Sequence, residues 1–120
     1  IRKYPCVKEV SSPDRERLKV VLQEIEKNIS ENLTVREIAE FCGWSDSHFM
    51  RWFKKMTGLS FISYVNERRL AVAAEALKKS NDKILSISQE AGFTNLSNFN
   101  RQFKSRYGVT PKEYREMTDI

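Results

Sequence analysis

The chain has 120 residues, 40% of them hydrophobic and 31% charged, so it is long enough for one compact domain or two very small ones and too apolar for disorder. No apolar run approaches the roughly 20 residues of a membrane span, so we expect no membrane contact. Lys and Arg outnumber Asp and Glu by 21 to 16, and the net charge of +5 favours polyanionic partners such as nucleic acid.

The two cysteines, Cys6 and Cys42, are too few for a disulfide framework, so we expect a reducing, cytoplasmic location. The chain begins at Ile1 rather than Met, and residues 1–12 show no hydrophobic periodicity. We therefore expect a fragment of a longer protein in which residues 1–12 are the remnant of a linker.

Two helices are predicted before Gly43. Ser12 provides an N-cap and Pro13 the proline favoured at the first helical position, and apolar residues then recur every three or four positions from about 13 to 30. Thr34-Val35-Arg36-Glu37 is a capping box that opens a second, short helix. Gly43 ends that helix, because glycine readily adopts the left-handed backbone of a sharp turn.

A third helix and a long fourth helix follow. Ser45 or Asp46 caps the third helix, and Gly58 ends it. Its inward residues are Phe49, Trp52, Phe53 and Met56, with Trp52 at the edge of the core. Residues 60–80 contain no Gly or Pro, and their apolar spacing predicts one long helix that joins two halves of the chain.

Three further helices are predicted after residue 80. Asn81 or Asp82 caps the fifth, which ends at Gly92. The sixth opens at Thr94 or Asn95 and ends at Gly108, and the seventh begins with the capping box Thr110-Pro111-Lys112-Glu113. Every predicted element is helical, so the fold class is all-α with seven helices.

An internal repeat relates the two halves. Shifted by 50, residues 47–64 match residues 97–114 at seven of 18 positions. The identical pairs are Ser47/Ser97, Phe49/Phe99, Arg51/Arg101, Phe53/Phe103, Lys54/Lys104, Gly58/Gly108 and Tyr64/Tyr114. Gly43 and Gly92 correspond with a shift of 49, so the second copy has one extra residue between its turn and its second helix.

Each copy is a short capped helix, a turn of glycine and an aromatic residue, and a longer second helix. This is the helix-turn-helix pattern, whose second helix enters the major groove of double-stranded DNA. At about 100° per residue, a Ser, an Arg and a Lys of each copy lie opposite the inward phenylalanines. An exposed Arg or Lys on a single helix is usually only a solvated surface, but the duplication favours DNA contact. These residues are Ser47, Arg51 and Lys54, and Ser97, Arg101 and Lys104.

The second half resembles the signature of AraC-type transcription regulators, and the resemblance covers about residues 14 to 117. The residues that carry it are Gly92-Phe93, Phe99, Arg101, Phe103-Lys104, Gly108, Thr110-Pro111 and Tyr114-Arg115. It implies a monomeric domain with two helix-turn-helix subdomains, 13–58 and 81–118, joined by a linker helix, 59–80, that bind neighbouring major grooves on one face of DNA. It also implies an upstream sensing and dimerising domain in the full-length protein.

The resemblance assigns contact roles by motif position. The expected base contacts are Ser47, Met50, Arg51, Leu96, Ser97, Asn100 and Arg101. The expected phosphate contacts are Thr34, Lys54, Lys55, Asn95 and Lys104. Met50 and Leu96 would meet thymine methyl groups, since they cannot donate hydrogen bonds. Ser88 stands where the family often has Ala, and it would weaken packing unless its hydroxyl bonds back to the helix.

Catalysis and cofactor binding have little support in the sequence. His48 is the only histidine, and one histidine with two separated cysteines cannot supply the four ligands of a structural zinc site. There is no glycine-rich phosphate loop and no nucleophile elbow. We therefore expect neither an enzyme nor a cofactor. The alternative function is a helical module that binds a protein such as RNA polymerase, and this can coexist with DNA binding.

Overall fold

Seven helices form the part of the chain that a computed structural model describes, residues 12–118, with the side chains of residues 13–117. The all-α prediction is confirmed for this part. The helices are α1 (Ser12–Lys27), α2 (Val35–Cys42), α3 (Asp46–Thr57), α4 (Phe61–Lys79), α5 (Ile84–Glu90), α6 (Leu96–Tyr107) and α7 (Pro111–Thr118).

The first helix begins one residue earlier and ends earlier than its periodicity predicts. It starts at Ser12, so Pro13 stands at its second position, and the predicted capping role of the Ser12 side chain lies outside the described residues. After Lys27 the backbone N–H of Asn28 also donates to the Ile25 carbonyl at 3.1 Å, three residues back, and the Asn28 side-chain amide donates to the Glu24 carbonyl at 2.8 Å. Asparagine commonly ends helices through such local side-chain bonds.

Most predicted caps are confirmed. The Thr34 and Glu37 side chains each bond the other residue's backbone N–H, and Thr110 and Glu113 form the same capping box. Ser45 caps α3, since its hydroxyl accepts from the backbone N–H of residue 48. These reciprocal bonds satisfy N–H groups that the first helical turn leaves without a partner.

The predicted cap of α5 is wrong. Lys83, rather than Asn81 or Asp82, is the N-cap residue, and its side chain makes no capping bond. Arg115 of α7 holds this loop instead, because its guanidinium donates to the carbonyl oxygens of Ser80 and Asp82, at 3.2 and 2.8 Å. The loop before α5 is thus held by a residue that lies 33 positions after Asp82, and the sequence around α5 does not show this contact.

The chain divides into two compact units that meet between Val65 and Asn66, inside α4. In the first unit, α1, α2, α3 and the start of α4 enclose one apolar core. Its buried residues are Val21, Ile25, Ile29, Ile38, Ala39, Phe49, Phe53, Phe61, Tyr64 and Val65. Trp52 packs at the edge of this core, as predicted, and its indole N–H donates to the Asp14 carboxylate at 3.3 Å.

The second unit has its own core, formed by the rest of α4 with α5, α6 and α7. Its buried residues are Leu70, Ala73, Ala74, Leu77, Ile87, Ala91, Phe93, Phe99 and Phe103, with Tyr107 and Tyr114 packed against them. On α4, Ala73 is fully buried, whereas Ala71 is only half-buried. The Ser88 hydroxyl donates to the Leu85 carbonyl at 2.8 Å, so it is paired within its helix.

Candidate nucleic-acid interface

Two turns of matching geometry precede the outward-facing helices α3 and α6. In the first, Gly43 has φ of 76°, its N–H donates to the Glu40 carbonyl, and the Trp44 N–H reaches back to the Ala39 carbonyl, at 3.0 and 2.9 Å. These two bonds are the Schellman pattern, which requires a left-handed residue and therefore favours glycine.

The second turn repeats those bonds with one difference in length. The Gly92 N–H donates to the Gln89 carbonyl and the Phe93 N–H to the Ser88 carbonyl, at 3.0 and 2.9 Å. Helix α5 itself ends at Glu90, before the left-handed Gly92 that was predicted to end it. The N-cap of α6 follows Gly92 by three residues, whereas Ser45 follows Gly43 by two, which confirms the predicted extra residue.

Helices α3 and α6 each bury one face and expose the other. Phe49 and Phe53 are 0% exposed in the first unit, and Phe99 and Phe103 are 0% exposed in the second. Since side chains on a helix advance about 100° per residue, these buried pairs fix which residues face outward. All twelve predicted DNA-contacting residues are exposed: Ser47, Met50, Arg51, Leu96, Ser97, Asn100, Arg101, Thr34, Lys54, Lys55, Asn95 and Lys104. Their contacts with DNA stay a prediction.

Positive charge gathers at the last turn of both helices. The last turn of α3 contains Lys54 and Lys55, and the last turn of α6 contains Lys104 and Arg106. Helix C-termini carry partial negative charge that cations offset, so these residues also stabilise their helices. Both helices therefore combine hydrogen-bonding residues in the first turns with cations in the last turn.

Comparison with known proteins identifies the family. The helix-turn-helix domain family matches residues 43–117. Multiple antibiotic resistance protein MarA of Escherichia coli is 36% identical over 100 residues, which cover 83% of this chain and 78% of MarA. Among solved structures, the C-terminal domain of AraT, a response regulator from Geobacillus stearothermophilus, aligns with a TM-score of 0.81 and 31% identity over 92% of this chain and 89% of that one.

A further structure carries the family name. A transcriptional regulator from Chromobacterium violaceum, described as containing an AraC-type DNA-binding domain, aligns with a TM-score of 0.81 and 27% identity over 91% of this chain and 97% of that one. The chain belongs to the AraC-type family of transcription regulators. The family resemblance inferred from the repeat is thus confirmed, and the two helix-turn-helix units of this AraC-type domain are DNA-binding units. The AdaA protein of Bacillus subtilis, 33% identical over 108 residues that cover 90% of this chain and 51% of AdaA, is described as a bifunctional transcriptional activator and DNA repair enzyme.

In the first unit of this AraC-type domain, an aromatic stack supports the start of α3. The centroids of the half-buried Trp44 ring and the His48 ring lie 4.2 Å apart, and the two rings are nearly parallel, with an angle of 20° between their planes. The Arg17 guanidinium carbon lies 4.7 Å from the centroid of the Trp44 ring. Cation–π contacts and ring stacking both stabilise such an arrangement. The sequence pattern did not single out Arg17, and His48 was considered only as an unsupported catalytic or metal-binding residue.

In the second unit, a side-chain bond holds the central arginine of α6. The Arg101 guanidinium donates to the Asn98 side-chain oxygen at 2.7 Å, and the Asn98 backbone N–H in turn bonds the Asn95 cap at 2.8 Å. Asn98 was not among the predicted site residues. The three-residue spacing between Asn98 and Arg101 places them as neighbours on a helix surface and was the available signal.

Met50 lines an apolar groove of about 550 Å³ beside α3. The groove's apolar residues are Val35, Met50, Phe61 and Ile62, and its cations are Arg51, Lys54 and Lys55. Apolar surface therefore lies directly beside charged side chains that are predicted to contact DNA.

The described residues offer little for metal or thiol chemistry. Among residues 12–118 no group of three or more His, Cys, Asp or Glu side chains is placed to hold a metal ion. Burial raises the pKa of the Cys42 thiol, an effect that Arg17 partly offsets, so the less reactive protonated form is favoured. No helix in the described range is long and apolar enough to cross a membrane.

Proposed function

We propose that α3 and α6 enter successive major grooves of one DNA duplex, so that a single chain reads two half-sites. The observation that carries this proposal is the duplicated triplet of Ser, Arg and Lys, exposed in each unit opposite a pair of fully buried phenylalanines. A second helix of this kind is the element that reads base edges in helix-turn-helix proteins.

The base-reading roles follow from side-chain chemistry. Arg51 and Arg101 can each donate two bonds to guanine, and Asn100 can bond adenine through its amide. Met50 and Leu96, 44% and 37% exposed, are suited to thymine methyl groups. The remaining base contacts of the proposal are Ser47 and Ser97. Because Met50 stands where the second unit has Asn100, the two half-sites should differ in sequence.

Phosphate contacts would come from Lys54, Lys55 and Lys104, which place cations beside the reading face. Asn95 uses its side-chain oxygen as a cap and retains its NH₂ group for a phosphate. Thr34 is the weaker assignment, because its N–H and hydroxyl both donate to the Glu37 carboxylate, at 2.9 and 3.1 Å. A phosphate at Thr34 would have to replace those bonds.

Arginine variants test the reading roles. Arg51→Ala and Arg101→Ala should each weaken binding to the selected site by about 1 to 3 kcal/mol and relax base preference at different positions. Arg51→Lys and Arg101→Lys are matched controls that keep the charge and lose the two-pronged donor geometry. Selection of bound duplexes from a random pool gives the preferences. Lysine variants that keep full base discrimination would show that these arginines contact phosphate only.

Salt dependence tests the phosphate contacts. The logarithm of the binding constant should fall linearly with the logarithm of salt concentration, because bound cations release counterions from DNA. Lys54→Ala should reduce the magnitude of the slope of this line by about one and weaken binding to all sequences alike. An unchanged slope would remove Lys54 from the set of phosphate contacts.

A chain that binds chromosomal DNA would be located in the cytoplasm, at the nucleoid. RNA polymerase is a second candidate partner. The observation that favours a protein partner is a groove between α1 and α2, where Val20 and Phe41 are 46% and 49% exposed and belong to no proposed DNA contact. Phe41→Ser should then leave DNA affinity unchanged and reduce transcription activation in vitro. An unchanged activation would leave this groove without a polymerase role.

A further inference from the structure

The two reading arginines differ in how they are held before DNA arrives. Arg101 donates to the side-chain oxygen of Asn98 at 2.7 Å, and Asn98 is itself half-buried. Arg51 makes no hydrogen bond or ion pair with any residue in the described part of the chain. The residue equivalent to Asn98 is His48, whose ring is stacked on Trp44 at 4.2 Å instead.

We infer that Asn98 is a positioning residue that sets the base discrimination of Arg101. This inference rests on the proposed base-reading role of Arg101. Asn98 acts through the arginine, and among the described residues of the first unit nothing equivalent acts on Arg51. The second recognition helix therefore presents an arginine whose orientation is fixed in advance, and the first presents one that is ordered only on binding.

The geometry leaves Arg101 free to read a base while it is held. A guanidinium has five N–H donors in one plane, and the bond to Asn98 uses one of them. The remaining donors can still meet guanine O6 and N7. Asn98 is fixed from two sides, because its backbone N–H bonds Asn95 and its side chain is partly enclosed.

Pre-ordering affects discrimination because an arginine side chain loses rotamer freedom when it binds. A side chain that is already held loses less rotamer freedom on binding. A guanidinium plane of fixed orientation also forms its two hydrogen bonds with fewer of the incorrect bases. Loss of the Asn98 bond should therefore lower the discrimination of Arg101 by about 2- to 10-fold, given the usual cost of immobilising one long side chain.

The test is a double-mutant cycle with Asn98→Ala, Arg101→Ala and the double variant. Discrimination is the ratio of Kd values for the selected duplex and for one altered at the base pair where Arg101→Ala loses its preference. Asn98→Ala should reduce discrimination about 2- to 10-fold when Arg101 is present and have no effect when it is absent. A merely structural loss would act equally in both backgrounds.

Two further variants sharpen the cycle. Asn98→Asp keeps the oxygen acceptor, so it should retain discrimination while lowering affinity for all duplexes through its negative charge. His48→Ala is the matched control on the first helix and should show no coupling to Arg51→Ala. Coupling of equal size there, or lost discrimination in Asn98→Asp, would overturn the inference.

A measurement without DNA separates the inference from the proposed function. The NMR order parameter of the Arg101 side-chain Nε–H should fall in Asn98→Ala, while that of Arg51 stays unchanged. If Arg101→Ala loses preference at no base pair, the proposed reading role is wrong. If Arg101→Ala loses preference but the cycle shows no coupling, the reading role stands and the positioning role is overturned.

Discussion

Thr57 and Ser88 are the polar side chains that the described residues bury in the two cores, each 1% exposed. The Thr57 hydroxyl donates to the Phe53 carbonyl at 2.9 Å and accepts from the Leu59 N–H at 3.1 Å. It thereby satisfies backbone groups where α3 turns toward α4. A buried hydroxyl is stable in such a place only because both of its bonds are made.

Thr57→Val should lower the free energy of unfolding by about 1 to 3 kcal/mol, because valine keeps the volume but leaves the Leu59 N–H without its partner. Urea denaturation gives the difference directly. Thr57→Ser retains the hydroxyl and loses one methyl group, so it should cost only about 0.8 kcal/mol. A valine variant as stable as the parent would show that these bonds contribute nothing to stability.

Glu113 makes stability depend on pH in the acid range. Its carboxylate accepts the Thr110 backbone N–H at 2.9 Å, and this bond, with the Thr110 side chain and the nearby charge of Lys104, lowers the pKa of Glu113. A lowered folded-state pKa means that the unfolded chain takes up its proton first as pH falls. The contribution is therefore present above the ordinary glutamate pKa and is lost as pH falls through the lowered one.

Glu113→Gln should remove this pH-dependent contribution, since glutamine still accepts the Thr110 bond but does not ionise. The difference in free energy of unfolding between parent and variant should be largest at neutral pH and shrink below about pH 4.3, where glutamate ordinarily protonates. Urea denaturation across pH 3 to 7 measures it. A difference that stays constant over that range would contradict the assigned cause.

Helices α3 and α6 end in the same way. Gly58 and Gly108 have φ of 82° and 83°, and their N–H groups donate to the carbonyl oxygens of Lys54 and Lys104. A Cβ built at either glycine would meet no atom within 4 Å, so only backbone strain opposes a larger residue there.

Gly58→Ala and Gly108→Ala should therefore each lower the free energy of unfolding by about 1 to 2 kcal/mol, the cost of left-handed backbone for a residue with a Cβ. Asparagine tolerates this conformation better, so Gly58→Asn and Gly108→Asn serve as controls that should cost less. Chemical denaturation of the four variants measures these differences in the free energy of unfolding. Equal losses for Ala and Asn would point to a cause other than backbone strain.

Local signals predicted most of the helix boundaries, because caps and glycine turns are formed by residues close in sequence. The boundaries that differ from the prediction are the two ends of α1 and the two ends of α5. At the start of α5 the cause is distant in sequence, because Arg115 bonds the carbonyls of Ser80 and Asp82 across more than 30 residues. The exposed face of each recognition helix could be predicted from periodicity alone. The Asn98–Arg101 bond and the stack of His48 on Trp44 could not, because they depend on side-chain rotamers.

At the scale of the molecule, one helix serves two cores. The start of α4 supplies Phe61 and Tyr64 to the first core, and its later turns supply Leu70 and Leu77 to the second. The helix runs without a break from Phe61 to Lys79. Both DNA-binding units therefore share one covalent element, which is the basis for expecting one chain to bind both half-sites.

The spacing of the half-sites should then be critical. Successive major grooves on one face of DNA are about 10 to 10.5 base pairs apart, and an insertion of five base pairs rotates one half-site to the opposite face. Such an insertion should reduce the affinity to that of a duplex in which one half-site has been destroyed, because the second unit can no longer reach its bases. Both duplexes can be compared by fluorescence anisotropy with the parent protein at fixed salt, and protein–DNA stoichiometry can be measured in the same titration. One chain per uninterrupted duplex is expected. An affinity unchanged by the insertion, or two chains on each uninterrupted site, would show that the units bind independently and that tandem reading by one chain is wrong.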